Sequence, residues 1–139
     1  MNILDHNFPE DQLPNLSNWR IHFKKIGRDI GRPTWADWEE IRRLLHSLKQ
    51  PTFFTRDNDF YHPGYRHAGY CVVFLDIPVL QSSDFVRRFL SSAVYFVNCR
   101  HPDFRTKRLR MGKVARISSH RISYWEINSD DEKIVEWIG

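Results

Sequence analysis

The stretch YCVVFL, residues 70–75, decides the fold class of this 139-residue chain. It is an unbroken apolar run, which is typical of a central strand buried on both faces of a parallel sheet. A second buried strand is predicted over residues 51–55 (PTFFT), and shorter strands over residues 1–4 and 20–26. Helices are predicted between the strands, one from an N-cap at Thr34 to about residue 48 and one from Ser82 or Ser83 to residues 92–97.

This alternation of strands and helices predicts an α/β fold, a three-layer α/β/α domain around a mainly parallel sheet. Residues 113–118 and 121–128 predict a C-terminal strand pair joined by a short turn. The acidic, amphipathic tail from residue 129 predicts a short helix. The length is that of one domain, residues 1–139, and no internal repeat is predicted.

Composition excludes several classes of protein. Aromatic residues make up 14% of the chain, which excludes a disordered protein. No apolar run approaches the roughly 18 to 20 residues that span a bilayer. The N-terminus turns acidic at Asp5 and has no basic stretch, so a secretory signal is not expected. Cys71 lies in an apolar run and is predicted to be buried. We therefore expect a cytoplasmic protein without membrane association.

Positive charge is concentrated in residues 100–121, the basic segment. It holds eight Lys or Arg against one acid, a net of +7, which leaves −3 for the other 117 residues. Such a segment indicates a polyanionic partner. It is equally compatible with a solvated face. If the partner is a nucleic acid, four residues of the segment are candidates for the backbone grip: Arg105, Lys107, Arg108 and Arg110.

Acidic residues follow the predicted strands. Asp5 ends the first strand, Asp57 and Asp59 follow PTFFT, and Asp37 and Glu40 share one face at the start of a helix. Ligands of parallel sheets bind beyond the carboxyl ends of the strands, where these side chains would converge. An all-oxygen donor set favours Mg²⁺ or Mn²⁺. Taken singly, each Asp is better explained as a turn or cap residue than as a ligand, and Asp76 is interpreted as one.

Three motifs in order resemble those of the PIN-like domain family. They are MNILDHNFPED at residues 1–11, DWEEI at residues 37–41 and PTFFTRDNDF at residues 51–60. The resemblance covers roughly residues 1–76. It implies a metal-dependent endoribonuclease, often the toxin of a toxin–antitoxin pair. It also implies an antitoxin protein as partner and a homodimer.

The resemblance assigns roles to particular residues. Asp5, Asp57 and Asp59 are implied metal ligands. Asp37 and Glu40 are the candidates for the second acid of the family pattern, with Glu40 counted among the metal ligands and Asp37 among the catalytic acids. Glu39 is a weaker candidate for the second acid, because Trp38 interrupts the motif. Thr55 is expected to hydrogen-bond a carboxylate or a metal-bound water, and Arg56 to approach a phosphate. His6 stands where the family usually has Glu, so it is either inert or a contact of the substrate.

The loop at residues 61–69 follows the third motif and is rich in aromatic and basic side chains. These suit RNA, whose unstacked bases lie on aromatic faces. They would equally serve to pack the loop on the sheet. The sequence thus predicts a ribonuclease. The alternative is an inactive PIN-like module that binds nucleic acid or an acidic protein through the basic segment.

Overall fold

The structure is a computed structural model that describes residues 1–34, 37–90 and 107–136. It contains seven strands: β1 Asn2–Leu4, β2 Lys24–Lys25, β3 Thr52–Thr55, β4 Cys71–Leu75, β5 Val114–Ile117, β6 Arg121–Trp125 and β7 Lys133–Glu136. The α-helices are α1 Leu13–Asn18, α2 Trp38–Ser47, α3 Ser82–Leu90 and α4 Lys107–Arg110. Short 3₁₀ helices lie at Glu10–Gln12, Asn58–Phe60, Pro63–Tyr65 and Val79–Gln81.

All seven strands form one sheet in the order β2-β1-β3-β4-β5-β6-β7. The pairings from β2 to β5 are parallel, and β6 and β7 are added antiparallel. The chain first moves outward from β1 to β2, then returns past β1 to β3. Strand order therefore reverses between β1 and β3, the point where doubly wound sheets bind their ligands.

Alternating side chains of the strands build one core on each face of the sheet. Ile3, Phe53 and Val72 pack with Ile41 and Leu45 of α2. On the other face, a second core combines strand residues with residues from α1 and α3, namely Leu4, Phe54, Val73, Leu13, Leu16, Phe85, Val86 and Phe89. Helices on both faces give the predicted α/β architecture of three layers. The strongest strand prediction, residues 70–75, is confirmed as β4, which is buried at every position.

Two local predictions are wrong. Thr34 does not cap α2, because the Asp37 carboxylate accepts the Glu40 N–H at 3.1 Å and the helix begins at Trp38. An Asp directly before the first turn satisfies a free helical N–H group that a residue three positions earlier cannot reach. The acidic tail forms β7 instead of a helix. Its residues Ile134 and Val135 alternate between exposed and buried, which is the period of a strand.

Other predictions hold in part. Of the strand predicted over residues 20–26, β2 retains two residues at the edge of the sheet. The predicted C-terminal strand pair is confirmed as β5 and β6, and β7 adds a third antiparallel strand. The helix predicted from Ser82 or Ser83 is confirmed as α3 up to Leu90, while residues 91–97 lie outside the described part. Among the described residues, no helix is both long and apolar enough to cross a membrane.

Candidate functional site

The candidate site lies where β1 and β3 end side by side. The strands run parallel, with Leu4 opposite Phe54, and the Asp5 N–H continues the ladder by donating to the Phe54 carbonyl at 2.9 Å. Asp5 therefore stands at the switch point of the sheet. Side-chain alternation along β1 directs Asp5 to the same face as Ile3, the face that α2 covers.

Asp5 is a fully buried carboxylate that is held by several donors. Thr55 donates its hydroxyl to Asp5 Oδ2 at 2.6 Å, in a contact between residues 50 positions apart. The His6 backbone N–H donates to Asp5 Oδ1 at 2.8 Å. Burying a carboxylate is costly unless such bonds replace its water. The sheet therefore fixes this side chain in one orientation, and Thr55 makes the carboxylate contact that was expected of it.

His6 connects this buried carboxylate to solvent. Its Nδ1 lies 2.9 Å from Asp5 Oδ1, so Nδ1 carries a proton that it donates to the carboxylate. The His6 side chain is 37% exposed and that of Asp5 is 1% exposed. The imidazole thus takes its orientation from Asp5, and more than a third of the side chain stays exposed. His6 therefore takes part in the hydrogen bonding of the site.

Asp57 joins the same cluster through its backbone. Its N–H donates to the Thr55 hydroxyl oxygen at 3.1 Å, and its own Oδ1 accepts the Asp59 N–H at 3.0 Å. Asp57 is half-buried and caps the 3₁₀ helix Asn58–Phe60. Asp59 is exposed. Thr55 therefore links Asp5 and Asp57 in one hydrogen-bonded chain.

The two acids of α2 are held differently. Asp37 is exposed and its Oδ1 caps the helix. Glu40 is half-buried, and its Oε2 is buried without a hydrogen-bond partner among the described residues. Glu39 pairs with Arg42 at 3.0 Å on the exposed face. Of the three candidates for the second acid, Glu40 is thus the one with a buried carboxylate oxygen still to be satisfied.

Arg56 ties the site to the neighbouring loop. Its guanidinium donates to the Ser82 hydroxyl at 3.1 Å and to the Ile77 carbonyl at 2.9 Å. These contacts join the end of β3 to the start of α3. Arg56 thereby positions the strand end, and in this conformation its guanidinium is directed into the fold instead of toward a phosphate.

The four candidate grip residues of the basic segment differ in exposure and in whether the structure describes them. Arg105 lies outside the described residues, and the side chain of residue 107 is not described. Arg108 is exposed, as expected of a phosphate contact. Arg110 is 6% exposed, and burial lowers the pKa of its guanidinium. A buried side chain cannot reach a partner, so the structure places Arg110 in the fold and not in the grip.

Sequence reasoning missed a neighbouring polar cluster. Asp76, interpreted as a turn residue, pairs with Arg116 through Oδ2 at 2.5 Å from Nη2. They line a cavity of about 270 Å³ with Asn58, Tyr61 and Phe74, at the carboxyl ends of β4 and β5. The signal was present, because Asp76 follows β4 just as Asp5 follows β1.

The donor chemistry of the site suits a hard cation. Asp5 and Asp57 offer carboxylate oxygens, and a carboxylate accepts more bonds than those found here. Glu40 Oε2 is a buried oxygen that a cation would satisfy. However, residues 1–34, 37–90 and 107–136 contain no group of three or more His, Cys, Asp or Glu side chains arranged to hold a metal ion. The metal centre therefore stays a prediction.

Comparisons with family models, with curated proteins and with solved structures gave no match to this chain. The PIN-like resemblance consequently depends on the sequence motifs alone.

Proposed function

We propose that this chain is a PIN-like ribonuclease that hydrolyses phosphodiester bonds with Mg²⁺ or Mn²⁺ at the carboxyl ends of β1 and β3. The observation that carries the proposal is the Asp5 carboxylate, fully buried at the switch point and fixed by Thr55. A buried, oriented carboxylate at this position of a parallel sheet is typical of a ligand site.

Asp5 and Asp57 would hold the cation, with Glu40 and Asp59 as the further carboxylates of the set. When bound, a divalent cation lowers the pKa of a coordinated water and stabilises the charge that develops on the phosphate. Thr55 keeps Asp5 and the Asp57 backbone at a fixed separation through its two hydrogen bonds. Arg56 holds the end of β3 in place. The His6 imidazole contacts Asp5 and is partly exposed.

RNA is the proposed substrate because the basic segment can neutralise its phosphates. Arg108 is the exposed member of this grip in the described part of the chain. Arg105 and Lys107 join it in the proposal. The role as a toxin, with an antitoxin partner and a homodimeric state, is proposed from the resemblance.

The test is cleavage of a fluorescent single-stranded RNA of mixed sequence in the presence of Mn²⁺. We expect activity that EDTA abolishes and that Asp5→Asn and Asp57→Asn each lower by at least about 100-fold, since even outer-shell partners of a metal cost up to that factor. Asp11→Asn, at an exposed acid of the 3₁₀ helix Glu10–Gln12, is the matched control. Circular dichroism must show that all variants are folded. Equal activity in all four proteins would contradict the proposal.

One observation favours the alternative, a module that binds nucleic acid without cleaving it. The described residues do not gather three metal-ligating side chains. In that case RNA binds to the protein, Mn²⁺ leaves the RNA intact, and Asp5→Asn changes the stability of the fold without changing RNA affinity.

A further inference from the structure

A repeated motif occupies residues 62–70, HPGYRHAGY, where His-x-Gly-Tyr occurs twice in succession. The two copies have the same local structure. The Gly64 N–H donates to His62 Nδ1 at 2.8 Å, and the Gly69 N–H donates to His67 Nδ1 at 2.9 Å. No repeat was predicted from the sequence, because each copy has only four residues. The hydrogen bonds show that the two copies also share a local structure.

In both copies the tyrosine supports the imidazole. The rings of His62 and Tyr65 lie 5.0 Å apart between centroids. The rings of His67 and Tyr70 lie 4.9 Å apart and are stacked, with an interplanar angle of 9°. Tyr70 is buried and Tyr65 is half-buried, whereas both imidazoles are exposed. Each copy therefore presents a histidine on an anchored aromatic ring.

The glycines are required for this geometry. A Cβ at Gly64 would lie 2.8 Å from His62 Nδ1, and a Cβ at Gly69 would lie 3.1 Å from His67 Nδ1. Because Nδ1 accepts a hydrogen bond in both rings, the proton of the neutral imidazole is on Nε2. Both copies thus hold their histidine in one tautomer, with a donor N–H on the far side of the ring.

Both copies are locked onto α2. Trp38 stacks on Tyr65 with centroids 4.2 Å apart and contacts Tyr70 at 6.0 Å. His46, an exposed residue of α2, adds a third imidazole at 4.3 Å from His67. The rings form a continuous series of six: His62, Tyr65, Trp38, Tyr70, His67 and His46. The series is fixed at its inner rings and open to solvent at its three histidines.

Pinning the loop explains the inner rings but not the outer ones. A loop that needs only an anchor is held by Trp38, Tyr65 and Tyr70. The exposed imidazoles add flat surface area and N–H donors for which residues 1–34, 37–90 and 107–136 provide no acceptor. Burial, followed by His46 and Arg42, lowers the pKa of His67, which favours the neutral form of this ring.

We infer that His46, His62 and His67, the imidazole surface, stack the unpaired bases of single-stranded RNA along the α2 face. This inference rests on the proposed function and names the form of its substrate. The loop runs from the 3₁₀ helix that Asp57 caps to the start of β4, so RNA stacked along it would lie on the α2 face and lead toward the candidate site. Unstacked bases pack on flat imidazole rings, and outward N–H groups meet base and phosphate acceptors.

The test measures RNA binding without cleavage, by fluorescence anisotropy of a labelled single-stranded RNA in EDTA. His62→Asn with His67→Asn is the informative variant, because an Asn carbonyl oxygen also accepts the N–H two residues later and the turns are kept. His120→Asn, at an exposed histidine of the β5–β6 turn, is the matched control.

We expect the double variant to bind at least about tenfold more weakly, since the bases lose two of the rings on which they stack. Measured at pH 8, above the ordinary histidine pKa of about 6.5, the dependence of affinity on salt should be unchanged, because replacing an imidazole by an amide removes no charge there. The control should bind as the wild type does. Wild-type affinity in the double variant, equal loss in the control, a shifted salt dependence, or a wild-type protein that binds duplex RNA as well as single strands would each overturn the inference.

The two proposals fail separately. If Mn²⁺-dependent cleavage is absent while the double variant loses binding, the nuclease proposal is wrong and the imidazole surface stands. If cleavage depends on Asp5 while the double variant binds normally, the imidazole surface is wrong. Capture of a protein partner by these residues without any effect on RNA would likewise contradict it.

Discussion

Asp5 and Asp37 were both predicted as acids of one site, and the structure satisfies them in opposite ways. Asp5 is fully buried and is held by Thr55, a residue 50 positions away. Asp37 is exposed and bonds to Glu40 three positions away, inside its own helix start. A local bond explains why an Asp is present at residue 37. A local bond does not explain why the fold buries a carboxylate at residue 5.

The difference separates structural acids from candidates for chemistry. A cap contributes to stability and can be replaced by another capping residue. Burying a carboxylate costs desolvation free energy. A protein retains such a carboxylate where its fixed orientation serves binding or chemistry.

The largest expected effect concerns Thr55. Thr55→Val keeps the shape of the side chain but leaves buried Asp5 Oδ2 without its donor and the Asp57 N–H without its acceptor. We expect the free energy of unfolding to fall by about 2 kcal/mol, the cost of an unmade bond to a buried charged group. Urea unfolding measures it. Thr55→Ser, which keeps the hydroxyl, should lose much less; equal losses would show that the hydroxyl does not hold Asp5.

A smaller effect is expected at Asp37. Asp37→Ala should lower the free energy of unfolding by about 1 kcal/mol through loss of the cap, and Asp37→Ser should restore it. RNA cleavage by Asp37→Ser should stay within about twofold of the wild type, since Ser caps the helix as Asp does. A large loss of cleavage in a stable Asp37→Ser protein would return Asp37 to the catalytic set.

The smallest effect concerns His67 and pH. The pKa of His67 is lowered in the folded protein by burial, His46 and Arg42, from an ordinary value of 6.5. Below that value the unfolded chain binds more protons than the folded one, so stability falls as pH drops through this region. Urea unfolding at pH 7.5 and 5.5 should show a larger loss for the wild type than for His67→Asn. Identical pH dependence would show that His67 is not desolvated.

Much of the fold could be predicted from the sequence because its signals are local. The strand β4 is a continuous apolar run, β3 centres on two adjacent Phe residues, and β5 and β6 are joined by a short turn. The start of α2 was misplaced because Thr and Asp are both common N-cap residues. The sequence does not show whether the first helical turn follows Thr34 or Asp37. The tail was misassigned because its pattern becomes a strand only when β6 provides a partner.

The sequence predicted where the site lies in the sheet but not which partners its side chains contact. The resemblance implied that Thr55 bonds a carboxylate or a metal-bound water, and in the structure the carboxylate that Thr55 bonds is Asp5. That Arg56 and Arg110 turn into the fold depends on partners distant in the chain, such as Ser82 for Arg56. Sequence pattern carries no information about those contacts. The histidine repeat was likewise hidden, since its meaning lies in two backbone hydrogen bonds.

The central claim is that the carboxyl ends of β1 and β3 hold a divalent cation against Asp5. The most direct measurement is anomalous scattering from crystals of the wild type and of Asp5→Asn soaked with Mn²⁺. If these strand ends hold a divalent cation, we expect a Mn²⁺ peak bonded to an Asp5 oxygen in the wild type and no peak there in Asp5→Asn. A wild-type protein without that peak, or with Mn²⁺ bound only elsewhere, would contradict it.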